Sequence, residues 1–185
     1  MSEILDSGAR REFETGALRD IDEAKGRCDL LPLDVIADFV GEGGGYNWTL
    51  MEIHLFCKSH ITQHLYNAAY RFVDEAFNES ITTAALELSI HFRDGAEKYG
   101  EYNWQKGIPT HCYVDSAVRH YLKWLRGDKD ERHDRAFLWN IVCLIWTLEN
   151  KPEMDDLKKM DECPRCGNSI PKDAEYCSNC DDTIM

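Results

Sequence analysis

From Trp48 to Asn150 the apolar positions recur at steps of three and four, the spacing that keeps one face of a helix turned toward a core. Trp48 to about Ser59 predicts one helix and Ile61 to Phe77 a second, with Leu65, Ala69, Phe72, Val73 and Phe77 as its stripe. "NESITTAALELSIHFRDGAEKYG" predicts a third. Ser80 or Thr82 would cap it, because a short hydroxyl satisfies free N–H groups of the first turn, and Gly100 would end it. A fourth is expected from about Cys112 to Arg126, turning Tyr113, Ala117, Val118, Tyr121, Leu122 and Leu125 inward. "RAFLWNIVCLIWTLEN" is apolar on nearly every side, which places it at the centre of a bundle. Upstream, Pro32 suits the first turn of a short helix over about 32–40, and "GEGGGYNW" is a glycine-rich connection. No alternating pattern of strand length competes before residue 150. The expected class is all-α.

Residues 1–29 are polar and charged and read as an irregular N-terminal arm; 30–150 form the helical domain, 151–161 a charged linker, and 162–185 a separate small module. Hydrophobic residues make up 43% and aromatics 11%, enough for a core and against global disorder. The net charge of −13, from 34 acids and 21 bases, disfavours a nucleic-acid partner, whose binder would be basic. An acidic chain can still take a polyphosphate when divalent cations stand between the charges. No apolar run suits a bilayer, and the first residues lack the apolar centre of a signal peptide, so no membrane is expected and the cytosol is the expected compartment.

Four of the eight cysteines, Cys28, Cys57, Cys112 and Cys143, are scattered and read as reduced small hydrophobes. Cys163, Cys166, Cys177 and Cys180 form Cys-x2-Cys, ten residues, Cys-x2-Cys. Each pair can bite a metal from a tight knuckle, and four thiolates close a tetrahedral site with no open position. The expectation is a zinc ribbon whose structural Zn2+ supplies its folding energy; two disulfides or a redox pair are the alternative.

On a helix over 82–99, Glu87, His91, Asp94 and Lys98 fall along one side, and Asp94 and Glu97 are one turn apart. Glu131 and Asp134 repeat that spacing. The two pairs could face each other as a carboxylate cage for a hard divalent cation, though surface acids arise at such spacings by chance. Arg119 could clamp a phosphate with His120 or Lys123 adding donors, or pair with Asp115 four residues away. Asn103 could bond a base edge and Trp104 or Tyr99 stack on it; Trp104 could equally be a core anchor.

"TGALRDIDEAKGRCDLLPLDVIADF", "HFRDGAEKYGEYNWQKGI", "DSAVRHYLKWLRGD" and the later His133 with Trp139-Asn140 resemble the phage and prophage dATP/dGTP diphosphohydrolase family, related to all-α pyrophosphohydrolases of the MazG type. The resemblance covers roughly residues 15–150, with 41–80 looking like inserted helices, and "GAEKYGEYNW" and "RH" are its most specific pieces. It implies hydrolysis of dATP or dGTP to monophosphate and pyrophosphate with Mg2+ or Mn2+, in the cytosol of a host if phage-encoded; a dimer or tetramer is expected because a bundle of a few helices leaves apolar faces uncovered. Asp94, Glu97, Glu131 and Asp134 are then the candidate catalytic and Mg2+/Mn2+-binding carboxylates. Lys25, Arg27, Lys98, Lys106 and Arg119 are candidates for the phosphates, and Asn103, Trp104, His120 and His133 complete the substrate site. The wider group carries Glu-Glu-x-x-Glu before Glu-x-x-Asp. Glu131 to Asp134 matches the second motif, whereas Asp94-x2-Glu97 only approximates the first. The rival expectation is a non-enzymatic interaction module that docks a partner through its zinc ribbon.

Overall fold

In the computed structural model, residues 9–21, 25–41, 45–157, 160–163, 165–171, 176–177, 179–180 and 182–183 are described. The outermost part of the arm, the middle of the glycine-rich connection, the end of the linker and several ribbon positions lie outside the described residues. Six α-helices carry the described fold: α1 (Leu33–Phe39), α2 (Trp48–Ser59), α3 (Gln63–Phe77), α4 (Ile81–Tyr99), α5 (Thr110–Arg126) and α6 (His133–Asn150). The all-α class holds.

Local chemistry explains the boundaries. Asn47 caps α2 by accepting from the Leu50 amide at 3.0 Å, and Ser80 caps α4 by accepting from the Thr83 amide at 3.2 Å. Gly127, with φ 82°, takes the left-handed position that closes α5. Gly41 has no room for a side chain, since a Cβ there would lie 1.5 Å from the Gly45 carbonyl oxygen.

The helices pack around α6, whose Phe137, Leu138, Ile141, Cys143 and Leu144 are buried. Phe72 of α3 is the hub. Its ring meets Phe77, Tyr121, Trp124 and Phe137 with centroids 4.3–6.3 Å apart. Most of the expected inward residues are buried; Ala69 and Leu122 are partly buried, and Leu125, near the end of α5, is 37% exposed.

Two expectations change. The arm is not irregular throughout: β1 (Arg10–Glu12) and β2 (Leu18–Asp20) form an antiparallel hairpin pairing Arg11 with Arg19. Buried Phe13 and Ala17 pin its turn to the core. Strands of three residues are too short to show a period, so the pattern could not reveal them. The first part of the linker is also docked rather than free. Thr110 donates to Asp155 at 3.2 Å and to Asp156 at 3.1 Å, and Asp156 also accepts from the His111 amide at 2.9 Å.

The C-terminal module contains two short hairpins, β3 (Met160–Glu162) with β4 (Ser169–Pro171) and β5 (Tyr176–Cys177) with β6 (Asp182–Thr183). Cys163, Cys177 and Ile170 make its small core.

Candidate active site

The hairpin, the last turns of α4, the turn at Asn103–Lys106, the outer face of α5 and the start of α6 enclose a cavity of about 970 Å³. Its position depends on the hairpin being strapped to the chain that follows α4. Asn103 does this with both ends of its amide: Oδ1 accepts from the Leu18 amide at 2.9 Å and Nδ2 donates to the Leu18 carbonyl at 2.8 Å. Thr15 donates to the Gly107 carbonyl at 2.5 Å, and Lys98 holds Asp20 at 2.5 Å. Gly107 sits at φ 113°, and a Cβ there would lie 3.0 Å from the Met154 sulfur, so the turn needs glycine.

Arg19 reaches from β2 into this cavity. Its Nη2 donates to Ser116 Oγ at 2.5 Å and Asn140 Oδ1 at 3.0 Å. Asn140 is oriented for that role because its Nδ2 donates to the Ala136 carbonyl at 2.8 Å. Among the described residues no carboxylate pairs with Arg19, and its buried Nη1 has no partner. A guanidinium hydrogen-bonded only to neutral acceptors keeps its charge available to an anion. Sequence reasoning missed Arg19, since an arginine in a polar arm looks like solvated charge; its only signal was its place within the "ALRD" stretch of the family resemblance.

Arg119 stands nearby on α5. It pairs with Asp115, donates to the Gly26 carbonyl at 3.0 Å, and keeps a buried Nε without a partner. Both sequence alternatives for Arg119 are therefore compatible: the pair with Asp115 forms, and a donor is left over. Lys25, Arg27 and Lys123 also line the cavity. Arg27 grips Asp29 at 2.7 and 2.5 Å, and Lys123 holds Asp130 at 2.8 Å.

The opposite wall carries a tight polar cluster. Glu131 Oε1 lies 2.8 Å from His120 Nδ1 and 3.4 Å from His133 Nδ1, while the two imidazole nitrogens are 3.0 Å apart. His133 Nε2 is 2.8 Å from Asp130 Oδ1. Burial would raise the Glu131 carboxyl, but hydrogen bonds from both imidazoles outweigh it and hold it far below the usual carboxylate range. Burial lowers His120, and burial pushes neighbouring His91 down to about 4. His91 packs on Trp139, with ring centroids 5.9 Å apart.

The four-carboxylate cage is not assembled. Of its members only Glu131 belongs to a cluster whose ligand atoms converge. Asp94 pairs with Arg93 at 2.6 Å; the Glu97 side chain is 73% exposed; and Asp134 pairs with Arg132 at 2.6 Å. Acids one turn apart share a helix surface, but helix packing decides whether that surface meets another. The side of α4 that does meet α6 presents Glu87, which pairs with Arg135 at 2.8 Å and Arg132 at 3.1 Å.

Among the substrate candidates, Lys25, Arg27, Asn103, Trp104, Arg119 and His120 line the cavity. Lys98, Lys106 and His133 do not. Lys98 is tied to Asp20, Lys106 donates to the Gly16 carbonyl at 3.3 Å, and His133 is buried behind His120. Asn103 is a hairpin clamp by geometry. Trp104 is an anchor, edge-on to Trp146 at 4.9 Å with one part facing the cavity.

In the C-terminal module, Cys163 and Cys180 sulfurs are 3.7 Å apart, as are those of Cys166 and Cys177. These separations exclude disulfides and match the edge of a tetrahedron with metal–sulfur bonds of about 2.3 Å. The four thiols can hold a metal ion. No helix among the described residues is long and apolar enough to cross a membrane.

No curated protein and no solved structure matches the chain. Residues 67–157, from within α3 to the docked segment after α6, match the family model described as dATP/dGTP diphosphohydrolase, N-terminal.

Proposed function

We propose that the chain hydrolyses a deoxypurine nucleoside triphosphate, dATP or dGTP, to the monophosphate and pyrophosphate inside the cavity between hairpin and bundle. The observation that carries this reading is Arg19, a guanidinium lining the cavity with no carboxylate partner and a buried Nη1 that makes no hydrogen bond. Together with Arg119, it supplies donors for a chain of phosphates. Water adds to the α-phosphorus, the bond to the bridging oxygen breaks, and pyrophosphate leaves. The two guanidinium groups meet the negative charge that builds on the phosphate oxygens. Tyr99, Tyr102 and Trp139 line the same cavity and offer ring faces for a purine.

The wider assignments belong to the same proposal. The hairpin arm precedes a catalytic helical domain over 30–150, and the module from 162 takes a structural zinc. Phe39, Trp48, Tyr70, Ile81 and Leu86 are large apolar side chains exposed on α1–α4, and they support self-association into a dimer or tetramer.

The test is a panel incubation of the zinc-loaded protein with dATP, dGTP, dCTP, dTTP and the four ribonucleotides, with Mg2+ or Mn2+, resolved by ion-exchange chromatography. Monophosphate with equimolar pyrophosphate, from purines above pyrimidines, is expected. No turnover by folded protein sinks the reading and leaves the ribbon-docking module in its place.

A further inference from the structure

The cluster behind the cavity wall has the shape of a coordination site. Asp130 Oδ1 lies 2.8 Å from His133 Nε2. In the metal-free chain both imidazoles bond to Glu131; with an ion bound, His133 keeps the Nε2 hydrogen that it donates to the Asp130 carboxylate, and its neutral ring turns the Nδ1 lone pair to the ion in place of that bond. The three facing atoms, His120 Nδ1, His133 Nδ1 and Glu131 Oε1, are 2.8, 3.0 and 3.4 Å apart. A divalent ion with bonds of about 2.1 Å holds neighbouring ligands about 3.0 Å apart in an octahedron and about 3.4 Å apart in a tetrahedron. The observed triangle spans that range. His120 and Glu131 also line the cavity, so the remaining coordination positions open toward substrate.

We propose that His120, Glu131 and His133 hold a first-row divalent transition ion of the Mn2+, Co2+ or Zn2+ class, with Asp130 orienting His133. Two imidazole nitrogens suit such ions, whereas Mg2+ is bound through oxygen. The adjoining group of Asp128, Asp130 and His133 is the weaker cage. Asp128 is paired with Arg126 at 2.5 Å and Asp130 with Lys123 at 2.8 Å, so its carboxylate charge is already met. The proposal deepens the diphosphohydrolase reading by naming the ion at the wall of the same cavity, and binding rather than turnover tests it.

Full-length protein loaded to one zinc per chain, which the four ribbon cysteines take and which leaves the bundle site free, is titrated with Mn2+ and with Mg2+ by calorimetry, and bound Mn2+ is followed by electron paramagnetic resonance. One Mn2+ per chain is expected at the bundle, with Mg2+ weaker by about tenfold or more. His120→Ala and Glu131→Gln should each weaken Mn2+ by about tenfold or more, and Asp130→Ala by about 10–100-fold through loss of the outer partner of His133. Asp94→Asn and Glu97→Gln should leave it unchanged. Circular dichroism checks each fold, and Asp130, at the surface, gives a variant that keeps all three ligands. Folded protein that takes no Mn2+, takes Mg2+ equally well, or binds Mn2+ unchanged in these three variants overturns the ion site. Mn2+ bound as expected without turnover of any nucleotide overturns the hydrolase reading instead and leaves the ion site standing.

Discussion

Arg19 of the N-terminal hairpin donates to Asn140 of the central helix at 3.0 Å, joining residues 121 positions apart across the mouth of the cavity. The hairpin strand provides the charge, and the helix provides a neutral acceptor that aims it without cancelling it.

Replacing Arg19 with alanine should therefore affect turnover more than folding. Loss of one donor to the developing phosphate charge lowers kcat/KM by an expected factor on the order of 10²–10³. Arg19→Lys keeps the charge but not the fork between Ser116 and Asn140, and should recover only part of the loss. Steady-state kinetics with the best purine triphosphate, beside a melting curve, separates the two effects. Equal kcat/KM for wild type and Arg19→Ala would remove this residue from the reaction.

Asn103→Ala should loosen the hairpin while leaving the bundle folded. It strands the Leu18 amide and carbonyl, at a cost of about 1–3 kcal/mol. Faster hydrogen exchange across Leu18–Asp20, with unchanged exchange in α6, is the expected signature. KM should rise because Arg19 is no longer held over the cavity.

Phe72→Ala tests the hub. The side chain is fully buried among four rings, and its removal should cost about 3–5 kcal/mol by denaturant unfolding. A cost below about 1 kcal/mol would mean that α3 does not pack against α5 and α6 in this way.

Cys57 gives a pH dependence with a definite sign. Burial pushes its thiol from 9.0 up to about 12. Above pH 9.0 the unfolded chain releases a proton that the native chain keeps, so this contribution is complete below that pH and is lost as pH rises toward 12. Cys57→Ala should flatten the fall in unfolding free energy between those values, relative to wild type, by up to about 1.4 kcal/mol per pH unit. Identical slopes in the two proteins would contradict the burial.

Removing the ribbon metal should expose Cys163, Cys166, Cys177 and Cys180 to alkylation while leaving the helical signal of the bundle. The sulfur cluster shares no core with the helices. Mass spectrometry with and without chelator counts the modified thiols. A pattern of alkylation that chelator does not change would exclude a metal there.

The helices were readable because each of their periods spans several turns. Leu65, Phe72, Val73 and Phe77 mark one face, and Ser80 and Gly100 punctuate the next helix. The cysteine pairs were readable because their ligands are close in sequence. The cavity was only partly readable. Arg119, His120 and Glu131 stood out by residue type, but spacing joined Glu131 to Asp134, whereas the fold joins it to His120 and His133. Which helix faces meet is decided by packing over long sequence separations, and neither i,i+3 counting nor a three-residue strand records that.

The family match begins at residue 67, yet the hairpin that supplies Arg19 lies wholly before it. Helices α4 to α6 make a vessel around the cavity, and a flap of about a dozen residues, fastened by Asn103, Thr15 and Lys98, places Arg19 in it. Under the proposed function, such a division lets the flap be exchanged for one that greets a different phosphate ligand while the vessel beneath stays as it is.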